Sequence, residues 1–404
     1  MTVPAKHASP GLVFCLCFIA GLCEGYDLQS AGIAAPKFAP VFHLDPTHLG
    51  WVFSASTFGL FVGALVGGRL ADRAGRRGVL IASMVTFGLF SIGTALASDT
   101  AGLLVMRFLT GLGLGGAMPN LIALTAETGR PERAAMRVTI LSSAMPFGGF
   151  LVGGLSVARP DIDWTSIFWI GGVVPAIVAA FMVFILPESA AFRGDRTRGI
   201  RAGINDVLAA EARLTPTLLM WTSAFFTSLA LYLLINWLPS LLVEKGFLKT
   251  DASKIAMVLT LGGAASGFVF GVLVRLRHRT WLYGLTWLGM ILSVVGMAAT
   301  GHDLLQACIA GFGMGFFLSG GGFLLYALAT EVYPSSGRGT GVGFLVAVSR
   351  LGAVAGPLLA GTLLTIHRTA AEVMLALVPL ISIALISALA LAANKPALVR
   401  QGTG

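Results

Sequence analysis

The ten residues GRLADRAGRR, Gly68–Arg77, hold four arginines and one aspartate, and they separate two long apolar runs near residues 49–69 and 79–97. Each run is close to the 20 or so residues that a helix needs to cross about 30 Å of hydrocarbon. Fixed charge of that density is too costly to sit in lipid, so the stretch reads as a tight connection at a membrane surface between two spans.

Working outward, further runs fall near residues 12–36, 101–125, 138–158 and 165–187, then 216–240, 253–275, 281–300, 303–329, 341–366 and 372–393. Twelve spans are therefore expected. The chain of 404 residues is 56% apolar and 11% charged, with mean hydropathy +0.86, which excludes an ordinary soluble protein. The first run is long, carries acids and lacks a small-residue cleavage pattern, so it is expected to stay as a span. An even number of spans puts both termini on one side. Lysine and arginine outside the spans total 19 on that side against 6 opposite, which makes it the cytoplasmic side. The net charge of +9 is then largely a topology signal, reinforced by anionic lipid at the inner surface. No basic patch is interleaved with aromatics, so nucleic acid is not an expected partner. Cys15, Cys17, Cys23 and Cys308 show no ligand spacing and read as small packing residues. None of the six histidines falls mid-span, and neither a metal nor a cofactor is expected.

The Gly68–Arg77 stretch has an echo. GVLVRLRHRT, Gly271–Thr280, stands 203 residues later; GLGLG at Gly111 matches GFGMG at Gly311; and Glu127 pairs with Glu331. Three echoes at nearly one period point to a duplicated half. The polar interval Glu188–Thr215, with five arginines and Ile204, Val207 and Leu208 at helical spacing, separates the copies. The expected fold is an all-α membrane protein of twelve transmembrane helices in two pseudo-symmetric six-helix bundles, residues 1–187 and 216–404, joined by a cytoplasmic linker over 188–215. Parallel six-helix repeats with a substrate site near the midplane are a known transporter plan.

GRLADRAGRR also resembles the signature loop of the major facilitator superfamily. RFLTGLGLGG, Arg107–Gly116, is similar to its fourth-helix motif, and LPES, Leu186–Ser189, is a third match. Within that superfamily, EGYDLQSAGIAAP from Glu24 and SRLGAVAGP, Ser349–Pro357, resemble the aromatic acid:proton symporter family. Glu24 stands where that family more usually has Asp. The resemblance implies uptake of an aromatic carboxylate, a hydroxyphenylpropionate-like acid, with protons by alternating access. It also implies the bacterial inner membrane as location, lipid as surroundings and action as a monomer.

Four ionisable residues lie deep in the spans: Glu24, Asp27, Arg107 and Arg350. Unpaired, each would cost about 2.5–3.5 kcal/mol at a helix centre, so they are expected to face the interior and to act. Glu24 and Asp27 are three apart on one helix face, and two carboxylates so close cannot both ionise comfortably. With Arg107 they are the candidates for proton coupling, which the family likeness also implies. From the start of helix 1 the acids lie roughly 18–22 Å deep, against about 16 Å for Arg350 and roughly 28 Å for Arg107. Arg350 is the candidate for the substrate carboxylate, since a guanidinium offers a planar fork to such a group. Phe147, Trp221, Phe225, Trp237 and Phe316 are candidate ring-stacking walls, and Asn236 is a candidate partner for a ring hydroxyl. The competing reading of the charges is a permanent salt bridge that only holds helices together.

For the loop, Gly68 and Gly75 are expected to allow close approach and a turn, while Asp72, Arg73, Arg76 and Arg77 are assigned to gating. Family likeness has Asp72 latch on the start of helix 11; the second copy carries Arg275 at that place. Glu127 with Arg130 and Arg133, and Glu331 with Arg338, are candidate gate pairs. The bland alternative is that these arginines only set topology. Trp51, Trp164, Trp237 and Trp281 near span ends fit an interfacial belt. Gly111, Gly113 and Gly116 spell a dinucleotide-type pattern, but no strand precedes them, so close helix packing is expected there and at Gly320, Gly321 and Gly322. No nucleophile with a base is found, which argues against an enzyme. A drug:proton antiporter of the same fold is the rival, and an arginine at the site favours an anion over a cationic cargo.

Overall fold

The computed structural model describes residues 9–130, 133–188, 214–273, 280–333, 338–366 and 368–401. The linker over 189–213, Arg275, and the side chains of Asp72, Glu331 and Arg338 lie outside the described residues.

Among the described residues the regular structure is helical throughout. The helices are α1 (Pro10–Val41), α2 (Pro46–Ala74), α3 (Arg76–Ala95), α4 (Thr100–Glu127), α5 (Ala134–Ala158) and α6 (Trp164–Ile185), followed by α7 (Leu214–Glu244), α8 (Lys249–Leu273), α9 (Thr280–Ala299), α10 (Leu304–Val332), α11 (Arg338–Thr365), α12 (Ala370–Leu375) and α13 (Leu377–Gln401). Twelve spans are long and apolar enough to cross a membrane, α12 and α13 together forming the last, Ala370–Ala393. The protein is a multi-pass membrane protein, as expected.

Two boundaries differ from expectation for the same reason, proline. α1 continues through Pro36 and Pro40 to Val41, because a membrane helix buried among neighbours can re-satisfy the backbone groups that a proline frees. The last span instead breaks at Ala376, just before Pro379, where the missing N–H removes a rung of the ladder. Thr369 and Glu372 close a capping box at the start of α12.

The chain divides into two compact units, residues 1–198 and 199–404. In the first, α1 packs on α5 and α6, α4 on α2 and α3, and α3 on α6. In the second, α7 packs on α11 and α13, α10 on α8 and α9, and α9 on α13. The pairing scheme repeats from one unit to the other.

Lipid tails are as apolar as leucine, so helices here associate by close packing rather than by hydrophobic expulsion. The repeated contacts are built on glycine. A Cβ at Gly25 would strike the backbone of Met145, and one at Gly148 that of Leu22, so α1 and α5 touch main chain to main chain. Gly111 and Gly115 bring α4 onto the carbonyls of Ser56 and Leu60, and Gly352 and Gly356 bring α11 onto those of Phe225 and Leu229. The fourth-helix glycines are therefore packing residues. Gly322 corrects its expectation, since a Cβ there would meet nothing within 4 Å.

The tryptophans divide. Trp51 and Trp281 are each 53% exposed, as a belt requires. Trp164 and Trp237 are buried, which corrects the belt reading: Trp164 packs edge-on against Phe42 and Phe168, and Trp237 donates to the Pro357 carbonyl at 3.0 Å. Nearness to a span end does not say whether a ring faces lipid or the bundle.

Candidate functional site

From Ala20 to Ala35, α1 is buried on nearly every side. A helix covered all round is central to its bundle, so Glu24 (1% exposed) and Asp27 (0%) face protein. The acid that Arg107 holds is Asp27: Nη1 lies 3.3 Å from Oδ2, with Arg107 itself 1% exposed. Glu24 sits one turn nearer the N-terminus.

The depth difference expected between Arg107 and the acids persists along the helix axes: α1 starts two residues earlier, at Pro10, and α4 ends two residues later, at Glu127, so the two shifts, each about 3 Å at 1.5 Å per residue, cancel. The long arginine side chain spans the difference.

Two buried ions are tolerable only when further hydrogen bonds satisfy their remaining atoms. Arg107 Nη2 donates to Ser56 Oγ at 3.1 Å, from α2. Ser91 Oγ on α3 lies 2.9 Å from Asp27 Oδ1 and 3.1 Å from the Phe168 carbonyl of α6. The Phe168 ring receives the guanidinium at 5.5 Å, a cation–π contact. Tyr26 donates to the Ile167 carbonyl at 3.2 Å. Thus α3 and α4 meet the carboxylate of α1 directly, and α2 and α6 hold the groups that meet it. Ser56, Ser91, Phe168 and Tyr26 were missed in the sequence, where hydroxyls and rings in apolar runs carry no signal as sharp as a charge.

In the second unit Arg350 is half-buried on α11. Its Nη1 donates to the Tyr232 hydroxyl of α7 at 2.6 Å, and its Cζ lies 6.0 Å from that ring's centre. A cavity of about 30 Å³, room for one water, lies alongside, lined among others by Thr227, Ser228, Gly322, Tyr326 and Ser349. Trp221 stacks on Phe344 with centroids 5.9 Å apart, and Phe225 meets Phe226 edge-on at 5.2 Å.

Other candidates stand elsewhere. Asn236 turns its amide donor to the Tyr232 carbonyl at 2.8 Å, and Trp237 ties α7 to α11. Phe316 lies in a ring cluster with Phe270, Phe312 and Phe317. Phe147 is 37% exposed on α5. Tyr232, the neighbour that orients Arg350, was not singled out in the sequence.

At the α2–α3 connection, Gly75 adopts φ 93°, a conformation that glycine reaches without strain. Gly68 faces open space, which corrects the expected close approach; its neighbour Gly67 makes that contact, 2.7 Å from a built Cβ to Gly116 Cα. Arg76 forms an ion pair with Glu127 at the end of α4, a different partner from the Arg130 and Arg133 that proximity in sequence suggested; Arg133 is exposed. The Glu188 carboxylate accepts from Arg77 N at 3.2 Å, and a Cβ at Gly75 would lie 2.6 Å from it. Arg77 also donates to the Val183 carbonyl. The loop is thereby clasped to the ends of α4 and α6, with an anion at the N-terminus of α3 where the helix dipole favours one. Arg73 is exposed.

Among the described residues no group of His, Cys, Asp and Glu could hold a metal.

The chain is 44% identical to the 3-(3-hydroxy-phenyl)propionate transporter of Escherichia coli K12, over 91% of each chain. It is 32% identical to the 4-hydroxybenzoate transporter PcaK of Pseudomonas aeruginosa, over 90% of this chain and 88% of the other. A gallate transporter of Pseudomonas putida is 30% identical over 88% and 86%. Among solved structures, a D-xylose-proton symporter superposes with TM-score 0.75 at 17% identity over 94% and 96% of the two chains. A bacterial homologue of the human lysosomal transporter Spinster gives 0.74 at 17% over 98% and 99%. The pattern that defines the Major Facilitator Superfamily matches residues 17–303 and 220–403. With that match and these relatives, the chain belongs to the Major Facilitator Superfamily.

Proposed function

We propose that the protein is a secondary active transporter that imports an aromatic carboxylate of the hydroxyphenylpropionate kind together with protons, by alternating access. The observation that carries this reading is the fully buried Asp27–Arg107 pair, an ionisable carboxylate held by one cation and the Ser91 hydroxyl in a place where charge is costly. The relatives named for hydroxyphenylpropionate, hydroxybenzoate and gallate support the substrate class.

Coupling follows from charge. With both acids ionised, which the two arginines must offset, Glu24, Asp27, Arg107 and Arg350 cancel formally. A bound proton alone leaves the set one unit positive, and a bound carboxylate alone leaves it one unit negative. Both together restore neutrality, as does neither. Since net charge in the membrane costs several kcal/mol, the fully loaded and empty carriers are the ones that reorient, and that is symport.

In this reading Arg350, oriented by Tyr232, takes the substrate carboxylate, and Trp221, Phe225 and Phe147 remain candidate walls for the ring. The clasped α2–α3 loop acts in gating. The excess of bases on the side of the termini supports cytoplasmic termini, the bacterial relatives support the bacterial inner membrane as the location, and the protein works as a monomer.

The test is uptake of labelled 3-(3-hydroxyphenyl)propionate into proteoliposomes under an imposed pH gradient. Wild type is expected to accumulate the acid against its concentration, and Asp27→Asn to lose that dependence. Unaltered coupling in the variant overturns the assignment of the proton site. Equal competition by the aromatic acid and its amide overturns anion recognition.

A further inference from the structure

Ser91 has one hydroxyl proton and two acceptors within reach, Asp27 Oδ1 at 2.9 Å and the Phe168 carbonyl at 3.1 Å. A hydroxyl donates once and accepts twice, so both bonds cannot be donated at the same time. Ser91 is fully buried, and an unmatched polar atom there would be costly.

We infer that Ser91 is a positioning residue for proton uptake: it lets Asp27 change protonation state without leaving a buried polar atom unmatched. This rests on the reading of Asp27 as the coupling acid. With Asp27 ionised, Ser91 donates to Oδ1, and the Phe168 carbonyl keeps its own helix bond. A proton arriving from water forms an O–H bond on Oδ1, because Oδ2 is occupied by Arg107 Nη1. The new O–H donates to Ser91 Oγ, and the Ser91 hydroxyl rotates to donate to the second lone pair of the Phe168 carbonyl. No heavy-atom bond breaks, and every hydroxyl proton of Ser91 and Asp27 finds an acceptor in both states.

The surroundings fit that rotation. A Cβ at residue 171 would stand 3.1 Å from Ser91 Oγ and 3.5 Å from Asp27 Oδ1, so the glycine there leaves the hydroxyl its room. Among the described residues, the titratable and charged groups about Asp27 are Cys23, Glu24 and Tyr26 on α1 and Arg107 on α4. α2 presents Ser56, and α3 and α6 present Ser91, Phe168 and Gly171. Arg137, the only ionisable residue of α5, donates instead to the Thr125 and Ala126 carbonyls at the end of α4. The rotating hydroxyl moves a hydrogen bond onto α6, so the protonation state of α1 is passed to a second helix.

The test compares wild type, Ser91→Ala, Ser91→Cys and Ser91→Thr in proteoliposomes, reading the pH profile of uptake and, separately, substrate counterflow at fixed pH. Ser91→Ala is expected to move the midpoint of the profile by about one pH unit, the size of one hydrogen bond to an ionisable group. Counterflow at a pH well below both midpoints, where the coupling acid is protonated in every variant, reports folding and substrate binding, and Ser91→Thr brings the midpoint back towards wild type. A Ser91→Ala profile that superimposes on wild type overturns the inference. Should Ser91→Ala fail to fold, Ser91→Cys, a weak donor, decides in its place: a displaced midpoint supports the inference and an unmoved one overturns it. Wild-type uptake indifferent to the pH gradient sinks proton coupling and this inference together, whereas a coupled wild type with an unmoved variant sinks this inference alone.

Discussion

Arg350 donates to the Tyr232 hydroxyl over 2.6 Å, so a phenol on α7 sets the direction of a guanidinium on α11. Tyr232→Phe keeps the ring beneath the guanidinium and removes only the hydrogen bond. A bond to a charged group contributes about 1.5–3 kcal/mol, and part of that falls on the orientation of the fork. We expect KM for the aromatic acid to rise about ten-fold with the maximal rate within two-fold. Arg350→Lys, which keeps charge but loses the planar pair of donors, is expected to raise KM further. Uptake kinetics over a substrate series check both, and a Tyr232→Phe carrier with unchanged KM removes the hydroxyl from the account.

Removing one member of a buried ion pair leaves the other uncompensated, typically a loss of about 3–5 kcal/mol, whereas neutralising both is far milder. Asp27→Asn and Arg107→Gln are therefore each expected to lower the thermal unfolding temperature in detergent more than the double variant does. Additive losses in that cycle contradict the direct pairing of Asp27 with Arg107.

The spans and the charged quartet were legible in the sequence because lipid penalises ions and rewards length, and both leave a mark in one dimension. The pairing of Asp27 with Arg107 was obscured because depth counted along the helix axes leaves out the reach of the arginine side chain, which brings Nη1 to 3.3 Å from Oδ2. Ser56, Ser91 and Tyr232 were not legible. Neutral hydroxyls are common in membrane helices, and only the folded arrangement shows which of them touch an ion. Two of the substrate-side candidates part in the same way: Trp237 and Asn236 lie beside one another in sequence, yet one joins α11 and the other bonds its own helix. Glu188 read as part of a motif, and its place against Gly75 and Arg77 depends on α6 returning to the α2–α3 loop.

Gly25 and Gly68 are separated by what their missing methyls would meet. At Gly25 a Cβ would strike the Met145 backbone, which cannot yield without parting α1 from α5, while at Gly68 it would meet nothing within 4 Å. Gly25→Ala is expected to drop folded yield close to background. Gly68→Ala is expected to stay within about 0.5 kcal/mol of wild-type stability, as surface substitutions do. Size-exclusion profiles and thermal unfolding of both purified variants give the comparison, and a well-behaved Gly25→Ala contradicts the α1–α5 contact.

The Arg76–Glu127 pair is partly exposed, 30% and 25% for the two side chains, so its contribution to stability is small, about 0–1 kcal/mol. A gate needs no more than that, since a contact that must break in every transport cycle cannot be strong. Arg76→Glu and Glu127→Arg each place like charges at the end of α4 and are expected to slow uptake several-fold while the unfolding temperature moves only a few degrees. The double exchange rebuilds the pair with its polarity reversed and is expected to recover at least half of the wild-type rate. The effect of either single variant should weaken in high salt, because exposed charges are screened. If the exchanged carrier is as slow as the slower single variant, the residues act through something other than each other, and the clasp of the α2–α3 loop onto α4 loses its role in the cycle.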